Sequence, residues 1–127
     1  MQWQLRGDRP IYQQIMEKLT EQIVSGQLSA GDKVPPVREL AAQAGVNPNT
    51  MQRALQELER QGLMFSQRTS GRFVTEDREM IEDAKRTLAN RHISAFIRQM
   101  QALGYTRQEI LALLEESEGG EEHDANS

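Results

Sequence analysis

The 127-residue chain has no cysteine, which excludes a disulfide scaffold, a thiolate metal site and a cysteine nucleophile. It has only two histidines, His92 and His123, and the second lies in an acidic tail. Nucleophile–base dyads are therefore scarce, and no pair of His and carboxylates has metal-ligand spacing. There is no glycine-rich phosphate loop, since Gly119-Gly120 sits between acids that would repel phosphate. No apolar run approaches the ~20 residues of a membrane-spanning helix. Met1 opens a polar stretch rather than a signal peptide, so the expectation is a cytoplasmic protein without membrane association. Neither catalytic residues, nor a metal, nor a cofactor is expected. An enzyme is excluded on these absences together.

The apolar share of 37% suffices for a packed core in one compact domain with an appendage. The net charge of −4 hides an asymmetry. Residues 1–75 carry nine basic and seven acidic side chains, whereas residues 76–127 carry six and twelve. A polyanion needs Lys and Arg to neutralise it, and only the front half offers them on balance.

Hydrophobic spacing divides the chain into elements. Ile11, Ile15, Leu19 and Ile23 recur every four residues as one helical stripe, with Asp8 as a candidate cap, Pro10 in the first turn and Gly26 as the stop. Upstream, Trp3 and Leu5 alternate with polar residues, as a strand-like arm or a plug on the core. Residues 26–36 are turn-rich, with room for a tiny strand near Val34. A two-turn helix from Val37 ends before Gly45, and Asn47-Pro48 opens another as N-cap and first helical residue. Residues 64–67 and 72–75 are extended segments flanking the loop Arg68-Thr69-Ser70-Gly71. A long helical pattern follows to Gly104, and a last helix opens with the capping box Thr106–Glu109. The ten residues from Glu118, rich in acids with no large apolar side chain, are expected to be disordered.

Arm, three helices and a hairpin in that order make a winged helix-turn-helix. The fold expected is therefore mainly α with a small β-hairpin wing, followed by a C-terminal two-helix unit. On the helix from Asn47 the outward positions are Asn49, Thr50, Gln52, Arg53 and Gln56, with no acid between Asn47 and Gln56. Asn and Gln pair with adenine edges and Arg with guanine, so this face suits the major groove of double-stranded DNA. Arg38 is placed to clamp the backbone, and Arg68 and Arg72 flank a small wing tip at Thr69, Ser70 and Gly71. The alternative is a winged helix that binds protein. It would show an exposed apolar anchor on the reading face, where Asn, Gln, Arg and Thr stand instead.

These stretches resemble the GntR family of bacterial transcription regulators. The resemblance rests on Pro10-Ile11-Tyr12-Gln13-Gln14-Ile15, on residues 26–35, on Val37-Arg38-Glu39-Leu40-Ala41, on Gly45-Val46-Asn47-Pro48-Asn49-Thr50 and on Gly71-Arg72-Phe73-Val74. The short helical tail and the Asn47–Thr50 stretch are similar to the YtrA subfamily, whose C-terminal part is a compact dimerisation unit. The resemblance implies DNA contacts from Arg38, from the reading helix through Arg53 and from the wing around Gly71. It also implies control of a membrane-transporter operon. Ala30 departs from the family's usual proline, which loosens a turn, and Thr69 and Arg72 depart from its usual glycine and small residue, giving a stiffer and more cationic wing tip.

The back half bears more apolar surface than one small winged domain can cover. Ile81, Leu88, Phe96, Met100, Leu103, Ile110, Leu111 and Leu114 are read as dimerisation residues, with a second copy as the partner. Such a dimer, expected to act as a repressor, would bind a palindromic operator. The organisation expected is a DNA-binding domain over 1–75, a helical dimerisation region over 76–117 and the tail over 118–127. Met100, Phe96, Tyr105 and His92 read as core or surface, and they leave open an unidentified small-molecule effector.

Overall fold

A computed structural model describes residues 3–124, with side chains described for residues 3–117. Five helices and one hairpin follow in the order α1 (Ile11–Val24), α2 (Val37–Ala44), α3 (Pro48–Arg60), β1 (Met64–Gln67), β2 (Gly71–Val74), α4 (Arg78–Ala102) and α5 (Arg107–Asp124). The chain divides into two compact units between Leu88 and Ala89. None of the helices among the described residues is long and apolar enough to cross a membrane.

In the first unit α3 is central, packed against α1, α2 and β1. Its inner face supplies Met51, Ala54, Leu55 and Leu58, all buried, and they meet Ile15, Leu19 and Ile23 of α1 and Leu40, Ala41 and Ala44 of α2 in one core. The four-residue stripe on α1 is thus the buried side of an amphipathic helix. Trp3 and Leu5 pack on this core as a plug and not as a strand. The α1 cap differs from expectation. Pro10 occupies the N-cap position, and no side chain caps it. Asp8 instead pairs with Arg6.

The α2–α3 turn depends on two residues. Gly45 takes φ 73° and ψ 36°, a left-handed conformation that costs a residue with a Cβ, and its N–H returns to the Ala41 carbonyl at 2.9 Å. Asn47 then caps α3, its Oδ1 accepting from the Asn49 N–H at 2.7 Å, with Pro48 at the first helical position.

The hairpin is antiparallel, in the register Met64↔Val74, Phe65↔Phe73, Ser66↔Arg72 and Gln67↔Gly71. Phe65 and Phe73 stack across it with centroids 5.7 Å apart. The turn-rich segment before α2 joins the same hairpin. Lys33 forms a bridge with Phe73, the Val34 N–H donates to the Arg72 carbonyl at 2.8 Å, and the Val74 N–H donates to the Asp32 carbonyl at 2.9 Å. The small strand expected near Val34 is therefore an extra edge of the wing.

Helix α4 begins inside the first unit. Met80, Ile81 and Ala84 are half-buried against its core and Leu88 is buried, so that unit extends past Thr75. In the second unit, Thr106 and Glu109 form the reciprocal capping box, with bonds of 2.8 and 3.1 Å. Helix α5 continues to Asp124, across the segment whose composition predicts disorder. Residues 125–127 of the expected tail lie outside the described residues.

Candidate nucleic-acid interface

Three elements of the first unit carry the residues singled out for DNA: α2, α3 and the wing. Arg38 stands exposed in the first turn of α2. On α3, Asn49, Arg53 and Gln56 are exposed, and Thr50 and Gln52 are half-buried. Asn47 is exposed, but its side-chain oxygen is engaged in the cap. That oxygen is thus committed to starting α3. Apart from the exposed Pro48, the outer face from Asn47 to Gln56 holds amide, hydroxyl and guanidinium groups and no carboxylate.

Acids follow directly, at Glu57 and Glu59, and both are occupied. Arg60 binds Glu57 through Nη2 at 2.6 Å, and this hydrogen bond is the main cause holding the Glu57 carboxyl below the usual carboxylate range. For Glu59, partial burial pushes the carboxyl up. Hydrogen bonds from Ser66 and Arg72, with the Arg72 charge, outweigh that push and hold it below its ordinary value.

The wing separates its two arginines. Arg68 is exposed at the tip with Thr69, Ser70 and Gly71. Arg72 is not a tip residue. Its side chain is only 16% exposed, and Nε donates to Glu59 Oε1 at 2.7 Å. The cause is the register. Ser66 and Arg72 are cross-strand partners, and both reach the same carboxylate on the last turn of α3, the Ser66 hydroxyl donating at 2.7 Å. Of the four arginines expected on one face, Arg38, Arg53 and Arg68 are exposed, and Arg72 fastens the wing to α3.

Two residues near this face escaped the sequence reading. Tyr12 of α1 lies beneath Arg53, with the guanidinium carbon 3.7 Å from the ring centroid. Lys33 packs beside Gly71, its Cε 3.2 Å from where a Cβ on that glycine would stand. The tiny strand predicted near Val34 was the available signal for Lys33. Nothing local in the sequence signals the Tyr12 contact.

The residues read as dimerisation contacts fall into two groups. Ile81, Leu88 and Ile110 are half-buried or buried within the protomer, so burial there already satisfies them. Met100 is half-buried. Phe96, Leu103, Leu111 and Leu114 are exposed, as are Ile93 and Tyr105, with Leu103 at 74%. His92 is a surface residue.

A winged helix whose α3 is capped by Asn47, carries no acid before Glu57 and has both of its glutamates paired is the architecture of a DNA-binding regulator, and comparison with known proteins places it in a family. The family described as bacterial regulatory proteins, gntR family, matches residues 11–74, and the chain belongs to it. It is 40% identical over 108 residues to the uncharacterized HTH-type transcriptional regulator YhcF of Bacillus subtilis, covering 85% of this chain and 89% of that protein. It is 37% identical over 98 residues to the HTH-type transcriptional repressor YtrA of the same organism, covering 77% and 71%. Among solved structures, a GntR family transcriptional regulator from Listeria monocytogenes superposes with a TM-score of 0.79 at 38% identity, covering 88% of this chain and 98% of that one. The DNA-binding domain of AraR, solved in complex with an operator, gives 0.51 at 33% identity, covering 59% and 92%. The chain is thus a transcription regulator with a DNA-binding domain, and its relatives are regulators and not enzymes.

Proposed function

We propose that this regulator acts as a homodimeric, cytoplasmic repressor that reads a palindromic operator. The observation that carries the reading is the outer face of α3, where Asn49, Thr50, Gln52, Arg53 and Gln56 present base-reading groups with no carboxylate among them. Arg38 and the wing tip from Arg68 to Gly71 supply backbone contacts on either side, and these fix the helix in register. The relative named YtrA is a repressor, which supports the sign of regulation. Control of a transporter operon follows from the subfamily likeness described above.

The exposed apolar side chains of the second unit support the dimer. Ile93, Leu103 and Leu111 are each more than half exposed, and a second copy is the simplest cover for such a surface. A two-fold dimer places its reading helices about one helical turn apart, ~34–36 Å, or a multiple of that, so the operator would repeat as inverted half-sites.

The test is selection of fragments from the host's sheared genomic DNA by the purified protein at ~0.15 M salt. Enrichment of one inverted repeat is the expected result, and the adjacent genes would identify the regulated operon. Weak binding erased by salt, with no enriched sequence, would overturn the reading and favour a winged helix that recognises protein.

A further inference from the structure

The contact between Arg53 and Tyr12 joins the reading helix to a residue outside the helix-turn-helix. Tyr12 sits in the first turn of α1, half-buried against the core, and α1 packs directly on α3. The ring is therefore held by the fold, while the arginine resting on it is solvent-exposed. At 3.7 Å between guanidinium carbon and ring centroid, the contact uses a face of the guanidinium plane, because an edge-on approach would drive a nitrogen into the ring. A guanidinium carries its five N–H donors around its edge, so a face-on contact leaves the bidentate fork available. Glu57, one turn further along α3, is engaged by Arg60. Tyr12, Asn49, Thr50 and Arg53 also line one surface cleft with Pro10 and Ile11, so the ring belongs to the same concave surface as the reading residues.

We infer that Tyr12 is a positioning residue for sequence readout, its ring holding the Arg53 guanidinium in the orientation that presents the fork to a base edge. This rests on the DNA-reading role proposed for α3. An arginine without such a support samples many rotamers and loses that freedom on binding. An arginine already stacked loses less, and the gain falls on the base pair it reads. A cation–π contact at an exposed site corresponds to a discrimination of about two- to fivefold.

The experiment uses the full chain and the DNA fragment enriched by genomic selection. Affinities are measured for that fragment and for single base-pair variants of it, with wild type, Arg53→Ala, Tyr12→Phe, Tyr12→Leu and Tyr12→Met. The base pair read by Arg53 is the one whose preference Arg53→Ala relaxes. At that pair Tyr12→Phe should keep the wild-type discrimination, and Tyr12→Leu and Tyr12→Met should each lose about two- to fivefold. Their salt slopes should be unchanged, since the charge of Arg53 remains. In the Arg53→Ala background the Tyr12 variants should have no further effect on discrimination. A merely structural role for Tyr12 would lower affinity for every fragment alike and leave the ratio intact. That result, with Arg53→Ala active on preference, overturns the inference alone. If Arg53→Ala leaves every preference unchanged, the reading role of α3 falls and the inference falls with it.

Discussion

Arg72 of the wing and Glu59 at the end of the reading helix are joined at 2.7 Å, Nε to Oε1, with the Ser66 hydroxyl on the same carboxylate oxygen. The pair separates the two wing arginines into different tasks. Arg68, exposed at the tip, is available to a phosphate, whereas Arg72 is occupied in orienting the hairpin. Arg68→Ala should therefore lower the slope of log affinity against log salt by about one. Arg72→Ala should leave that slope near the wild-type value and instead lower the unfolding midpoint in urea, because it leaves the partly buried Glu59 carboxylate without its charged partner. Salt titration of operator binding, alongside urea unfolding of both variants, checks the division. Equal slope changes for the two variants would refute it.

The same carboxylate gives the wing an acid limit. Glu59 is held below its ordinary value of 4.5 in the folded protein, so its contribution is fully present above that value. As the pH falls through the lowered folded value, protonation removes the negative charge that the Arg72 guanidinium and the Ser66 hydroxyl favour, and the contribution is lost. Wild type should lose stability below about pH 4.5 more steeply than Glu59→Gln, which has no proton to gain at that site. Urea midpoints from pH 3 to pH 7 would show the two curves converging at the acid end. Parallel curves would mean that Glu59 does not titrate with folding.

The contrast between Arg68 and Arg72 shows how much of the interface could be read from sequence. Features set by neighbours in the chain were legible: Gly45 as the left-handed turn, Asn47-Pro48 as the start of α3, Thr106–Glu109 as a capping box, and the hairpin around Arg68–Gly71. So was the acid-free face of α3, because helical periodicity alone decides which side chains point outward. Features that depend on how elements dock were not. Ser66 and Arg72 meet Glu59 only once the hairpin lies against α3, and Tyr12 meets Arg53 only once α1 packs on it. Ile81 is similar. Its spacing marks it as one of an apolar stripe on α4, but the stripe does not tell which residues the first unit covers.

Arg38 and Arg53 should differ in what they do for binding. On the reading proposed for α3, Arg53→Ala would remove a bidentate base contact, worth ~1–3 kcal/mol of discrimination against the wrong base, and should relax preference at one position of each half-site. Arg38→Ala removes a backbone contact and should weaken binding to all sequences alike, lowering the salt slope by about one. Binding to a panel of single base-pair variants at two salt concentrations separates these outcomes. An unchanged preferred sequence with Arg53→Ala would show that another residue reads the groove.

Gln14 is the buried polar residue among the described residues of the first unit, and it fastens the N-terminal arm. Its Nε2 donates to the Arg6 and Arg9 carbonyls at 2.6 and 2.9 Å, and its Oε1 accepts from the Arg6 N–H at 2.6 Å. Gln14→Leu keeps the volume but deprives three backbone groups of their partner, which should cost about 1–3 kcal/mol. Trp3 is the sole tryptophan and packs on the core beyond this clamp, so its fluorescence reports on the arm. The variant should show a lower urea midpoint and a red-shifted native emission. A lower midpoint with unshifted emission would mean that Trp3 is held without Gln14.

The division of apolar residues in the second unit gives a test of assembly. Leu103 and Leu111 are exposed at 74% and 53%, whereas Ile110, next to Leu111 in the chain, is 3% exposed. A charge placed on an exposed residue that a partner covers would have to be desolvated on association, while in the isolated protomer it remains in water. Leu111→Glu and Leu103→Glu should therefore shift sedimentation equilibrium from dimer toward monomer with native helical circular dichroism. Their affinity for a single half-site should stay near the wild-type value, and the advantage of the full palindrome should disappear, since one protomer reaches one half-site. Ile110→Ala should act through the protomer instead, lowering its stability by about 2–5 kcal/mol through the lost burial and the cavity left behind. If the glutamate variants remain dimeric, the partner's surface lies elsewhere, and the apolar side chains of α4 and α5 are not what the second copy covers.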